Sequence, residues 1–272
     1  MTSDLELVRA ARAGDRRALD ALVTRHEPRV YRFAFRLTGQ ADDAAEVAQD
    51  SLMAMARSLG TFRGEASLST WLYSVARRLA FRRVKARARQ QRTESPLDEL
   101  ERTDHAALQA DAPDPEAMVA AHERDAVINR ALLELRPAYR EVLLLRDVEG
   151  LTAPEAARVL GINVRAVKSR LHRARLSLRA ALAPALGINE PERDKPGCRH
   201  IVEAFSRTLD GDLAPKSCAD LEAHLVRCRG CRVLCASFKQ ALAVCRKAPA
   251  RDLTAALKRS LRESVRQAST GT

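Results

Sequence analysis

The chain is 272 residues long, enough for two or three small domains or one compact enzyme, and its 47 Lys and Arg outnumber 35 Asp and Glu to leave a formal charge of +12. That imbalance favours a polyanionic partner such as nucleic acid, while an aromatic content of only 4% beside abundant Ala, Leu and Arg argues against a β-sandwich or barrel and predicts an all-α protein. No long apolar run occurs and Met1–Glu6 lacks the basic and apolar character of a leader, so the sequence predicts a cytoplasmic protein that does not enter a membrane.

In residues 1–92, Leu5, Val8 and Ala11, then Leu19, Leu22, Val23, Val30, Phe33 and Leu37, recur at helical spacing until Gly39, which predicts two helices. From Ala41 to Leu59 a stripe of Ala44, Val47, Ala48, Leu52, Met55 and Leu59 marks another, with Asp42, Glu46 and Asp50 as an acidic ridge on a second face. A helix over 67–90 is expected to bury Leu68, Trp71, Leu72, Val75 and Leu79, and its second half, Arg77–Arg92, carries eight basic residues and no acid. Residues 93–122 then hold a net charge of −7, three prolines and few large apolar residues, the composition of a flexible acidic linker.

Within 123–187, Thr152-Ala153-Pro154-Glu155 has capping-box spacing, Gly161 suits a left-handed turn and Asn163 suits a second N-cap, predicting helix, short turn, helix. Val164, Val167, Leu171, Ala174 and Leu178 fall on one stripe of the second helix, leaving Arg165, Lys168, Ser169 and His172 opposite, with Arg173 at the edge. Solvated helices mix charge signs, yet Asn163–Arg179 has six Lys or Arg and no acid. Docking in a DNA major groove accounts for this, because cations there release phosphate counterions while Arg, Lys, Ser and His reach base edges.

A polar, Pro- and Gly-bracketed linker is predicted over 188–197, and all six cysteines follow it, at 198, 218, 228, 231, 235 and 245. In a reducing compartment such a cluster points to metal rather than disulfides. His224 and Cys228 are spaced to share one helix face, Gly230 would let the chain turn, and Cys231 would complete a set whose imidazole and thiolates suit one tetrahedral zinc ion. For Cys235 and Cys245, burial as small hydrophobes weighs as much as a metal role. Over 251–272, Leu253, Leu257, Leu261 and Val265 mark an amphipathic helix that either docks on the preceding domains or ends the chain in solvent.

Four blocks, AAEVAQDSL at 44–52, FRGEASLSTWLYSVAR at 62–77, LRPAYREVLLLRDVEGLT at 135–152 and VKSRLHRAR at 167–175, make the chain resemble an extracytoplasmic-function sigma factor of the sigma-70 family, a promoter-recognition subunit of bacterial RNA polymerase. The resemblance implies that 1–92 binds core RNA polymerase and opens the −10 element of promoter DNA. It implies that 123–187, a winged-helix-like domain of four helices, binds the −35 element as duplex. Asp42, Glu46, Gln49 and Asp50 would then face polymerase, and Arg77, Arg78, Arg82 and Arg83 would hold phosphate near the melted strand. Arg78 departs from the family, which often has Asn there. For stacking on an unpaired base Phe62 is the better candidate, since Trp71 shares the core stripe.

Residues 198–250 resemble a zinc-binding anti-sigma domain, with an Asp210-Gly211 turn ahead of His224-x3-Cys228-x2-Cys231. The resemblance makes Cys198 the first metal ligand, with His200 or Cys218 as substitutes. A domain of this kind fused behind a sigma factor implies a sensor in cis, in which metal or oxidation alters packing on the DNA-binding domains. The surplus thiols Cys218, Cys235 and Cys245 would bind a second or softer ion such as copper or cadmium, or form disulfides. The rival reading is a helix-turn-helix regulator that works without core polymerase and has a purely structural zinc. An enzyme is disfavoured, because no His-Glu-x-x-His motif and no Gly-rich phosphate loop occur.

Overall fold

A computed structural model describes residues 2–93, 115–187, 198–212, 214–247 and 255–270. Most of the linker expected at 93–122, the linker expected at 188–197, and Leu253 lie outside them. The described residues form helices and turns with no strand. They divide into two compact units, Met1–Ala120 with Arg158–Leu160 and Ala250–Thr272, and Ala121–Ala157 with Gly161–Pro249.

The first unit begins with α1 (Asp4–Arg12), opened by a Ser3–Glu6 capping box, and α2 (Arg16–Thr38), capped by the Asp15 carboxylate and closed by Gly39 at φ 75°. It continues with α3 (Ala41–Ser58), a 3₁₀ turn at Leu59–Thr61, and α4 (Leu68–Thr93). Leu22, Phe33, Val47, Leu52, Met55 and Leu72 are buried between α2, α3 and α4. Each such side chain contributes roughly 1.5–3 kcal/mol by leaving water. On α4 the core face runs Leu68, Leu72, Ala76, Ala80, with Tyr73 set edge-on to Phe33 at 5.0 Å. Trp71 and Leu79 are therefore only half-buried, each turned 100° from a core position, and the expected burial of both is corrected. The chain returns to this unit as α12 (Ala255–Thr270), which lies along α3 and buries Leu261 and Val265.

The second unit holds most of α5 (Pro115–Glu134), α6 (Pro137–Leu143), a π-helical turn at Leu144–Val148, the larger part of α7 (Ala153–Leu160) and α8 (Val164–Leu182). Helix α5 starts inside the stretch read as linker, with proline at its first position, where the missing N–H costs nothing. The capping box at Thr152 and Glu155, the left-handed Gly161 at φ 66° and the Asn163 cap all form. Three further helices follow, α9 (Cys198–Leu209), α10 (Pro215–Arg227) and α11 (Arg229–Lys247). Val202, Phe205, Leu221, Leu234, Cys235 and Phe238 make their core, and Leu176 of α8 packs against it.

Candidate metal centre and nucleic-acid interface

Cys198 is the first residue of α9, His224 lies in the last turn of α10, and Cys228 and Cys231 bracket the start of α11. Their donor atoms all lie within 4.8 Å of one another, with Cys198 Sγ 3.9 Å from His224 Nε2 and 4.0 Å from Cys228 Sγ. A tetrahedral zinc with bonds of about 2.0–2.3 Å holds its ligand atoms roughly 3.5–3.8 Å apart, so the four fit such an ion after a small contraction. One detail differs from the expectation. Helix α10 ends at Arg227 and Cys228 is itself the turn, extended at φ −112°, because its N–H closes the helix on the His224 carbonyl at 2.8 Å. Gly230 instead sits inside α11.

The Cys231 N–H bonded to Cys228 holds the pKa of that thiol down to about 6, while burial pushes Cys231 up to about 12. Metal binding at such a donor set displaces whatever protons its thiols carry. His200 and Cys218 stand outside the cluster. Burial pushes the Cys235 thiol up to about 11, which makes it inert, and among the described residues no second metal-ligand cluster forms.

On α8, Val167, Leu171, Ala174 and Leu178 are buried as expected, and Arg165, Ser169 and Arg173 are exposed. Lys168 pairs with Asp212 at 2.7 Å. His172 is half-buried, which pulls its pKa below the ordinary imidazole value, and its Nδ1 has no hydrogen-bond partner. Two other cations of the helix leave the solvent altogether. Arg175, 1% exposed, donates from Nε and Nη2 to both Asp147 oxygens at 2.8 and 2.7 Å. It also donates to the Ser206 carbonyl at 2.8 Å, the Ser206 hydroxyl at 2.9 Å and Asp210 Oδ1 at 2.8 Å. Arg179 donates to Ser237 Oγ at 2.6 Å, and Arg246 donates to the Asp147 carbonyl at 2.8 Å. Sequence reasoning counted Arg175 and Arg179 as part of a solvent-facing cationic helix and missed Asp147, Ser206, Asp210, Ser237 and Arg246. The only local signal was the position of Arg175 one residue past the buried Ala174.

In the first unit Asp42, Glu46 and Asp50 are exposed on α3 and Gln49 is half-buried. Glu46 pairs with Arg83 of α4, and Asp43 pairs with Arg87 at 3.1 Å, so part of the acidic ridge neutralises part of the basic helix. Arg78 and Arg82 are exposed, and Arg77 lies over the Phe81 ring at 5.1 Å. Phe62 is half-buried in the loop before α4, where its carbonyl accepts from Arg12. From α12, Ser264 accepts a bond from Gln49 Nε2 at 3.1 Å, and Arg266 forms a two-pronged pair with Asp20 at 2.6 and 3.1 Å. Glu27, buried beside Arg262 and Lys258, has its carboxyl pushed above the usual range by that burial.

Three family models match the chain: sigma-70 region 2 over residues 22–90, sigma-70 region 4 over 126–178, and a zinc-finger family over 198–232. The RNA polymerase sigma-H factor of Pseudomonas aeruginosa is 33% identical over 191 residues, a match covering 67% of this chain and 95% of that protein. The chain belongs to the extracytoplasmic-function sigma factors of the sigma-70 family. The sigma factor SigM of Mycobacterium tuberculosis is likewise 33% identical, over 68% of this chain and 85% of its own length. A solved structure of CnrH, in complex with the cytosolic domain of CnrY, matches at 26% identity with a TM-score of 0.51, covering 67% of this chain and 99% of that one. Sigma factors direct promoter-specific transcription initiation and bind core RNA polymerase and promoter DNA without themselves being enzymes. Both sigma regions in one chain disfavour a helix-turn-helix regulator that dispenses with polymerase. No described helix is long and apolar enough to cross a membrane.

Proposed function

We propose that this sigma factor is regulated in cis by residues 198–272, which hold its two promoter-reading regions through different contacts. In this reading Asp42, Glu46, Gln49 and Asp50 meet polymerase, and Arg77, Arg78, Arg82 and Arg83 hold phosphate at the −10 element. Arg165, Lys168, Ser169, His172 and Arg173 read the −35 element. Cys198, His224, Cys228 and Cys231 hold one zinc ion.

The observation that carries the proposal is Arg175, a buried cation of the helix with the reading face, bonded both by Asp147 and by Ser206 and Asp210 of α9 and the turn after it. Lys168, assigned to DNA, is meanwhile neutralised by Asp212. Helices α9 and α11 both start at metal ligands and lead, further along, to Asp210 and Ser237, the residues that hold Arg175 and Arg179. A bound zinc supplies a cross-link among α9, α10 and α11. The spacing of those helices then sets whether Asp210 and Ser237 reach α8 together. Similarly, Ser264 and Arg266 of α12 occupy Gln49 and Asp20, the first of them a residue assigned to polymerase.

The test is transcription in vitro with core polymerase, comparing the full chain, a chain ending at Gly187, and Cys228→Ser, each with zinc, cadmium, copper or chelator. The shortened chain is expected to initiate irrespective of metal, and the full chain to change output with metal in a way Cys228→Ser abolishes. Equal output from all three under every condition would refute control in cis and leave the zinc purely structural. Failure of core polymerase to retain any of them would refute the assignment of residues to polymerase.

A further inference from the structure

Helix α1 lies outside the stretch matched by sigma-70 region 2, which begins at residue 22, and it adds little to the core, since of its nine residues only Val8 is fully buried. Its ends carry polar ties instead. At the start, Asp4 accepts a bond from Arg25 Nη1 at 2.7 Å and lies 3.0 Å from Nε2 of the buried His26, both on α2. At the end, Arg12 Nε donates to the Leu59 carbonyl at 2.6 Å and Arg12 Nη2 donates to the Phe62 carbonyl. The Leu59 carbonyl also accepts the Phe62 N–H at 3.3 Å, so one guanidinium spans both ends of the 3₁₀ turn from which the loop before α4 departs. That loop has little burial to fix it, because Gly60, Thr61, Arg63, Gly64 and Glu65 are exposed. The acceptors of Arg12 are main-chain groups, so its bonds set where the Phe62 peptide points whatever side chains the loop bears. A ring on a wandering loop loses conformational entropy each time it meets a ligand, and one fixed beforehand does not.

We infer that Arg12 is a positioning residue for the grip on the opened −10 strand: it fixes the Phe62 peptide so that the loop meets that strand in one orientation, while Arg12 itself touches no DNA. This rests on the reading of 1–92 as the region that opens the −10 element, with Phe62 as the contact this loop makes. A cation in the last turn of a helix has two other uses, offsetting the helix dipole and gripping phosphate. The three roles differ in what replaces them. Lysine keeps the charge that the dipole or a phosphate needs, whereas bonding two carbonyls at once takes the parallel N–H groups on one edge of a guanidinium.

Holoenzyme assembled from the full chain and core polymerase is titrated with labelled single-stranded DNA of mixed sequence and with a fully abasic strand of the same length, across a salt series. Phe62→Ala, the control for the loop, is expected to weaken binding of the mixed strand alone by about five- to 150-fold. Arg12→Ala and Arg12→Lys are both expected to weaken it roughly tenfold, the fold-change of one charge-assisted hydrogen bond, with the abasic strand and the salt slope unchanged. In a Phe62→Ala chain, Arg12→Ala should then add nothing, because it acts through that ring. Rescue by Arg12→Lys, or a salt slope lower by about 0.7, would overturn positioning in favour of a simple charge effect. An effect of Arg12→Ala that persists in full without Phe62 would overturn it too, as would a silent Arg12→Ala where Phe62→Ala has its effect. Loss of core polymerase from Arg12→Ala would overturn it by making α1 a support for the polymerase contact. Phe62→Ala indistinguishable from wild type on both strands would instead overturn the underlying −10 reading of the loop, and the role of Arg12 along with it.

Discussion

Residues 198–247 and α12 belong to one C-terminal segment, yet they are held by different physics. The first are fixed to α8 through a guanidinium that is 1% exposed and spends its donors on two carboxylates, a hydroxyl and a carbonyl, beside a shared apolar core that includes Leu176. Helix α12 is fixed to α2 and α3 by two apolar anchors, Leu261 and Val265, and by polar contacts that water reaches or that are poorly made. Arg266 in its pair with Asp20 is 61% exposed, and Arg262 stands 3.9 Å from Glu27 while Glu27 Oε1 and Arg262 Nε are buried without hydrogen-bond partners. Buried charge networks specify one geometry and are costly to break from one side, whereas exposed pairs contribute little and weaken with salt. The network around Arg175 therefore fixes one geometry, whereas the polar rim of α12 adds little to its apolar anchors.

The largest effect that would break this contrast is metal removal. Small zinc modules draw about 10 kcal/mol or more of apparent folding free energy from the ion. Chelation, or Cys228→Ser, should therefore cost more helical circular dichroism than any other change, with the loss confined to α9–α11 and with α1–α4 still protected from protease. Next comes Arg175→Ala, which strands Asp147 and Asp210 and should destabilise the second unit by about 3–5 kcal/mol in denaturant melts. Loss below about 1 kcal/mol would mean the network is solvated. Leu261→Ala should cost α12 about 2–5 kcal/mol of docking, read as faster hydrogen exchange in residues 255–270.

The smallest effects sharpen the contrast at the polar rim. Arg266→Ala should loosen α12 by no more than about 1 kcal/mol and lose its effect at high salt. Glu27→Gln should act in the opposite direction. Burial raises the Glu27 pKa above its free value although Arg262 and Lys258 of α12 pull it down, so the first unit is favoured by protonation there, fully present at low pH and weakened as pH rises through the raised pKa. Replacing the carboxylate with a neutral amide removes that penalty of burial and should stabilise the first unit at neutral pH, read in denaturant melts.

What the sequence made legible was what is local. The Thr152–Glu155 capping box, Gly161, Asn163 and the stripe from Val167 to Leu178 each depend on residues within a turn or two, and each forms. The ligand cluster was also readable, because His224, Cys228 and Cys231 lie close in the chain. The error at Cys228 came from extending a helical period one residue past the point where the helix closes. The fates of Arg175 and Arg179 were not readable, since a cation has the same letter whether solvated or buried. Their partners lie 28, 35 and 58 residues away, and the Gln49 bond to Ser264 spans 215. The π turn at Leu144–Val148, which helps set where Asp147 falls, leaves no compositional trace.

The Arg175–Asp147 pair lies wholly within the stretch matched by sigma-70 region 4, and Asp210 joins it from outside. If α9 withdraws, Arg175 keeps both oxygens of its own domain's carboxylate, so the reading helix is not left holding a bare charge in its interior. The appendage is thus an added tenant rather than a keystone. Either arrangement is electrically balanced, so Arg175 is a paired cation with or without Asp210 beside it.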